Sequence, residues 1–145
     1  MTSPLFSSLG TSASGVSTMK TWIDAISDNV SNVNTVHRTS EQAFQSEYVF
    51  AQSVPGGSGI GGTGSGGIGS GVRVGSVQRS TGDGILAYDP DNPLADENGI
   101  VRRPNVDLAE QLTNLIIAQR AYSANVTVFE RARDSYKQAL EIGKG

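Results

Sequence analysis

The sequence predicts a mainly α chain with a small β or irregular middle, its two long helices standing at opposite ends. Apolar residues recur in alternating steps of three and four near the start of the chain and again near its end. The middle holds most of the 18 glycines. Only 37% of the 145 residues are apolar, which is low for a self-sufficient core, so burial has to come chiefly from the two ends.

The first periodic segment runs through Leu9, Ser12, Val16, Met19, Ile23, Ile26, Val30 and Val33, all apolar except Ser12. That spacing puts them on one stripe of a helix, the pattern of a seam that can join a coiled coil. A helix of about 30 residues is about 45 Å long.

Ala43 to Val54 and Val72 to Val77 read as short strands, the second because Val72, Arg73 and Val74 alternate ahead of Gly75. Between them, Gly56 to Gly71 places ten glycines among sixteen residues. This is linker composition, either a mobile loop or one ordered by neighbours. From Tyr88 to Gly99 turn formers crowd together, with Asn98-Gly99 suited to a tight reversal, so a largely irregular connection is expected.

A second helix start is signalled after Pro104, where Asn105 or Asp107 can cap free N–H groups and Asp107 with Glu110 has capping-box spacing. Its seam runs Leu108, Leu112, Leu115, Gln119, Tyr122, Val126, Phe129, Arg133, Tyr136 and Leu140, and Gly143 supplies a stop. Gln119 and Arg133 interrupt the apolar line; such residues either fix register and partner number or sit in a wet seam. Ala118, Ala132 and Ala139 flank the stripe and permit close approach of a neighbouring helix. With the middle looped out, the helices can pair parallel or antiparallel. The expected organisation is an N-terminal helix over 1–35, a β and loop region over 36–104 and a C-terminal helix over 105–145.

A formal charge of −3 argues against nucleic-acid binding, which needs a basic face to release counterions. Arg102-Arg103 and the group Arg131, Arg133 and Lys137 are the densest basic clusters, and Glu130, Asp134 and Glu141 interleave with the second. With no cysteines, disulfides and thiolate metal sites are excluded and either redox compartment is compatible. The start Met1-Thr2-Ser3-Pro4 lacks a basic n-region and no unbroken apolar run follows it, so no cleaved signal is expected. No stretch approaches the roughly 20 apolar residues of a membrane span.

Catalytic chemistry finds no footing. Gly64 to Gly69 satisfies a G-x-G-x-x-G string, but within a glycine tract and without a following helix it carries no nucleotide signal. His37 is the only histidine, and no serine sits in a nucleophile elbow. Asp89, Asp91, Asp96 and Glu97 lack calcium-loop spacing and read as turn acids. No enzyme activity, cofactor, metal or small-molecule substrate is expected.

Two segments carry a resemblance. Asp28-Asn29-Val30-Ser31-Asn32-Val33-Asn34-Thr35 is similar to the asparagine-rich signature that closes the first helix of the flagellar rod, hook and axial protein family, with Asn29, Asn32 and Thr35 on its fixed positions. Val30 and Ser31 replace the usual residues there, and no Pro-Gly-Tyr follows Thr35. The closer match spans Tyr88 to Gly99, Val101, Pro104-Asn105-Val106-Asp107 and Ala118 to Asn125, and resembles the proximal-rod type within that family.

The resemblance implies terminal helices packed as a coiled coil around a central channel, with a small outer domain between them. It further implies a structural subunit of the basal-body rod, a helical drive shaft that transmits motor torque for motility. Export unfolded through the flagellar type III apparatus, without signal cleavage, and assembly in the periplasm with other copies and other rod proteins are implied as well. Leu9, Val16, Met19, Ile23, Ile26, Val30, Val33, Leu108, Leu112, Leu115, Tyr122, Val126 and Phe129 are the expected helix contacts. Asn29, Asn32, Thr35, Arg120 and Asn125 are the polar candidates for fixing register, with a helix C-cap as the other reading of the asparagines. Composition alone also permits a cytoplasmic coiled-coil adaptor or dimerisation module.

Overall fold

The computed structural model describes residues 4–55 and 69–143. Its elements run α1 (Pro4–Asn32), β1 (Glu47–Ser53), β2 (Val72–Arg79), β3 (Ile85–Tyr88), β4 (Ile100–Arg103) and α2 (Leu108–Ile142). Two long terminal helices with a small strand-containing middle are therefore the observed architecture. Residues 56–68 of the glycine tract, and with them most of the 64–69 string, lie outside the described residues.

Local chemistry sets the helix ends. Helix α1 is described from Pro4 onward. At the other end Asn32 Nδ2 donates to the Asp28 carbonyl at 2.9 Å, and Thr35 N–H donates to the Asn32 carbonyl at 3.0 Å, closing the helix in a turn. Asp107 caps α2, its Oδ1 accepting the N–H groups of Ala109 at 2.9 Å and Glu110 at 3.2 Å.

The strands form two separate two-stranded sheets, β1 with β2 and β3 with β4. Beside the first, Val54 donates to Gly71 at 2.8 Å and accepts from Ser70 at 2.9 Å. The second is antiparallel, with Ile85 opposite Arg103 and Tyr88 opposite Ile100. Its strands flank the irregular Tyr88–Gly99 connection and were not read from the sequence. Four-residue strands give too few alternations for a period-2 signal, and Ile85, Leu86 and Tyr88 are all exposed. The Asn98-Gly99 reversal is the part that was legible: Gly99, at φ +74°, donates to the Asp96 carbonyl at 2.9 Å.

The chain divides into two compact units, one of Met1–Thr21, Phe50–Ser76 and Ala118–Gly145, the other of Trp22–Val49 and Val77–Ile117. In the first, Ser12, Gly15, Thr18 and Ala118 are buried. Ser14 Oγ donates to the Thr11 carbonyl at 2.7 Å and accepts the Val72 N–H at 3.0 Å, tying β2 to α1. Gly15 leaves room for Asn125: a Cβ there would come within 2.7 Å of the Asn125 Oδ1.

In the second unit, Ala25, Ile26, Asn29, Ala43, Ser46, Val101 and Gln111 are buried. His37 and Arg102 exchange backbone hydrogen bonds at 2.9 Å, and the Arg102 guanidinium donates to the carbonyls of Thr39 at 2.8 Å and Asp83 at 2.9 Å. Arg103 reaches Asp89 at 3.3 Å. The Arg102-Arg103 pair thus holds loops of its own chain.

Asp96 organises the reversal before β4. Its Oδ1 accepts from Asn98 N–H at 2.9 Å and Ile100 N–H at 3.0 Å, and its Oδ2 accepts from Thr39 Oγ1 at 3.4 Å. Donation by the Ile100 N–H, opposed by partial burial and aided by Asn98 and Thr39, holds its carboxyl below the usual aspartate range. A depressed folded pKa gives stability that is present above the unfolded value and lost as pH falls through the folded one. Amide exchange at Ile100 is therefore expected to gain an acid-driven increase below about pH 4, absent from Asp96→Asn; equal acid profiles in the two chains would refute this.

Candidate assembly surface

Helix α2 shows which of its sides the chain itself covers. Gln111 and Ala118 are buried, and Leu115, Tyr122, Asn125, Phe129, Ala132 and Tyr136 are half-buried. These residues follow one another in steps of four and three, so they form a single stripe. It shares Leu115, Tyr122, Phe129 and Tyr136 with the seam read from sequence but passes through Ala118 and Ala132, while Gln119 and Arg133 are exposed. Small side chains let another helix approach closely, and the long polar ones at the adjacent positions stay in water.

Large apolar side chains are left exposed off this stripe, at Leu112, Ile116, Ile117 and Val128, and at its two ends, at Leu108 and Leu140. Leu112 is exposed by 46% and Ile116 by 53%. Leu108, Leu112 and Ile116 are spaced four apart and make one ridge, whereas Ile117 lies about 100° further round. A helix apolar on several sides is suited to being surrounded. The strands add Tyr48, Phe50 and Val77, also exposed.

The expected contact residues on α1 are placed differently. Ile26 is buried, and Leu9, Val16, Met19, Ile23, Val30 and Val33 are half-buried. Apart from Ile26, the buried residues of this helix are small or polar: Ser12, Gly15, Thr18, Ala25 and Asn29. On α2, Val126 is half-buried like Leu115, Tyr122 and Phe129, while Leu108 and Leu112 are open to solvent.

Of the polar candidates, Asn29 is 1% exposed and hydrogen-bonds to Glu47 and to Gln111 of α2. Asn32 and Thr35 form the turn that ends α1. Asn125 Nδ2 donates to the Ala121 carbonyl at 2.9 Å beside Gly15, and Arg120 is exposed. Sequence reasoning missed Gln111, because a glutamine one position from Leu112 reads as solvated surface.

Among the described residues no group of three or more His, Asp or Glu could hold a metal ion. Asp89 accepts from Asn92 at 3.2 Å and from Arg103 at 3.3 Å, so it serves its own turn. No described helix is long and apolar enough to cross a membrane.

Comparison with known proteins gives the family. Residues 97–142, which contain β4, the Asp107 cap and all of α2, match the family model described as flagellar basal body rod FlgEFG protein C-terminal. The flagellar basal-body rod protein FlgC of Borreliella burgdorferi is 35% identical, over 97% of this chain and 99% of that protein. FlgC of Bacillus subtilis is 32% identical over 96% and 98%, and that of Salmonella typhimurium 30% identical over 84% and 85%. Similarity over nearly the full length sets aside the adaptor reading. The chain belongs to the FlgC family of flagellar basal-body rod proteins, which are structural subunits and not enzymes.

Proposed function

We propose that α1 and α2 pack against helices of neighbouring rod subunits as coiled coils around the rod axis, so that each chain is one piece of a helical shaft carrying motor torque. The exposed ridge of Leu108, Leu112 and Ile116 is the observation that carries this reading. Covering these half-exposed side chains would contribute about 1 kcal/mol each, small singly and large when repeated through a lattice. Head-to-tail contacts that do not close on themselves generate such lattices.

Export through the flagellar type III apparatus without signal cleavage, and assembly in the periplasm, complete the proposal. Membership of the basal-body rod family supports it. Partners are other copies of the chain and other rod proteins.

Because the native sequence has no cysteine, Leu112→Cys supplies a unique thiol for a photoreactive cross-linker. Illuminated basal bodies are expected to give cross-links from position 112 to a neighbouring rod subunit. A subunit incorporated normally but cross-linked to nothing would overturn the helix-packing assignment.

A further inference from the structure

Asn29 sits near the end of α1, buried, with a side-chain amide that makes three hydrogen bonds. Its Oδ1 accepts the Glu47 N–H at 2.7 Å. Its Nδ2 donates to the Glu47 carbonyl at 2.9 Å and to Gln111 Oε1 at 3.1 Å. In an antiparallel ladder, directly opposed residues exchange one N–H···O bond in each direction. A carboxamide carries a donor and an acceptor side by side, so Asn29 takes the place of a one-residue strand opposite Glu47, the first residue of β1.

We propose that Asn29 is a positioning residue that sets the start of β1 against α1 in the single subunit, before any assembly, with Gln111 fixing which way the carboxamide faces. The helix contacts of the proposed function are not needed for this. Residues 33–46 contain no named helix or strand, so the direction in which the chain leaves them has to be set by something outside them. The bond to Glu47 supplies that direction, and its effect extends to β2. Ser46 accepts the Ser80 N–H through its carbonyl at 2.8 Å, and Glu47 Oε1 accepts Arg79 Nη2 at 3.0 Å.

Only an amide satisfies all three partners. Leucine has nearly the same shape but would leave the Glu47 N–H, the Glu47 carbonyl and Gln111 Oε1 unpaired in a buried place. An ionised aspartate would keep the Glu47 N–H bond yet face two acceptors, the Glu47 carbonyl and Gln111 Oε1. A protonated aspartic acid regains a donor. The charged groups alongside are Glu47 and Arg79, which pair with each other.

The test is amide exchange at Glu47 in the purified full-length chain. The parent is expected to exchange slowly there, and Asn29→Leu to exchange about tenfold faster or more. Asn29→Asp is expected to match the leucine variant near neutral pH. Its carboxyl, wedged between acceptors, has a raised folded pKa, so its deficit is full above that value and shrinks as pH falls toward about 4. Each variant is compared with the parent at the same pH. A parent Glu47 amide exchanging like an exposed one, or an Asn29→Asp deficit that ignores pH, would overturn the proposal. Ile116→Asp, which touches only the assembly ridge, is expected to leave Glu47 protection unchanged, so the two readings fail separately.

Discussion

A strain carrying Ile116→Asp is expected to be non-motile, without completed rods, although the purified variant chain unfolds like the parent. Ile116 is exposed on α2, so a carboxylate there stays in water in the single chain and changes its stability by no more than about 0.5 kcal/mol. Covered by a neighbouring helix, the same carboxylate would lose its hydration with no cation supplied. An unpaired charge at a covered site costs about 3–5 kcal/mol, enough to reduce incorporation at least a hundredfold at each contact. Ile116→Gln is a milder control, removing apolar surface without adding charge. Motility assays and electron microscopy of isolated basal bodies read the outcome, and normal swimming with Ile116→Asp would remove the ridge from the assembly surface. Ile26→Asp would not serve, because Ile26 is 2% exposed and the subunit itself would fail to fold.

Gly84→Ala is expected to give the largest loss of subunit stability among single-methyl changes in the second unit. Gly84 holds φ +92°, in the half of backbone space that side chains disfavour. Its Cβ would also run into the Arg103 carbonyl oxygen, a backbone atom fixed by the β3–β4 ladder, and lie 2.6 Å from the Ala43 Cβ. Backbone strain of about 1–3 kcal/mol and overpacking of similar size sum to about 4 kcal/mol. For a chain of this length that lowers the thermal midpoint by about 10 °C. Gly82→Ala is the matched control, since its φ is also positive, at +142°, but a Cβ there meets nothing within 4 Å. Equal midpoints for the two variants would show that the Arg103 contact is not limiting.

The helices were legible because thirty or so residues give several repeats of a 3.6-residue period, and their caps because Asp107 and Asn32 act on their nearest neighbours. Which side each helix covers was less so. The 3-4 rule selects the apolar line, yet the covered stripe of α2 leans toward Ala118 and Ala132, since close approach favours small side chains over Gln119 and Arg133. The β3–β4 sheet escaped because its strands are too short to show alternation. The resemblance singled out Asn29 by position but not its partners: Glu47 and Gln111 lie 18 and 82 residues away, and no local pattern encodes such distances.

The small and polar residues buried on α1 beside Ile26 have a thermal consequence. Glycine, alanine, serine and asparagine hide few carbon atoms from water, so burying them changes the heat capacity of the subunit less than burying leucine or isoleucine would. Leu108, Leu112, Ile116 and Ile117, exposed on α2, add their share only when neighbours cover them, as proposed. Apolar contacts weaken on cooling whereas amide hydrogen bonds do not depend on that effect. A shaft divided in this way would lose cohesion between its pieces in the cold before the pieces lost their own shape.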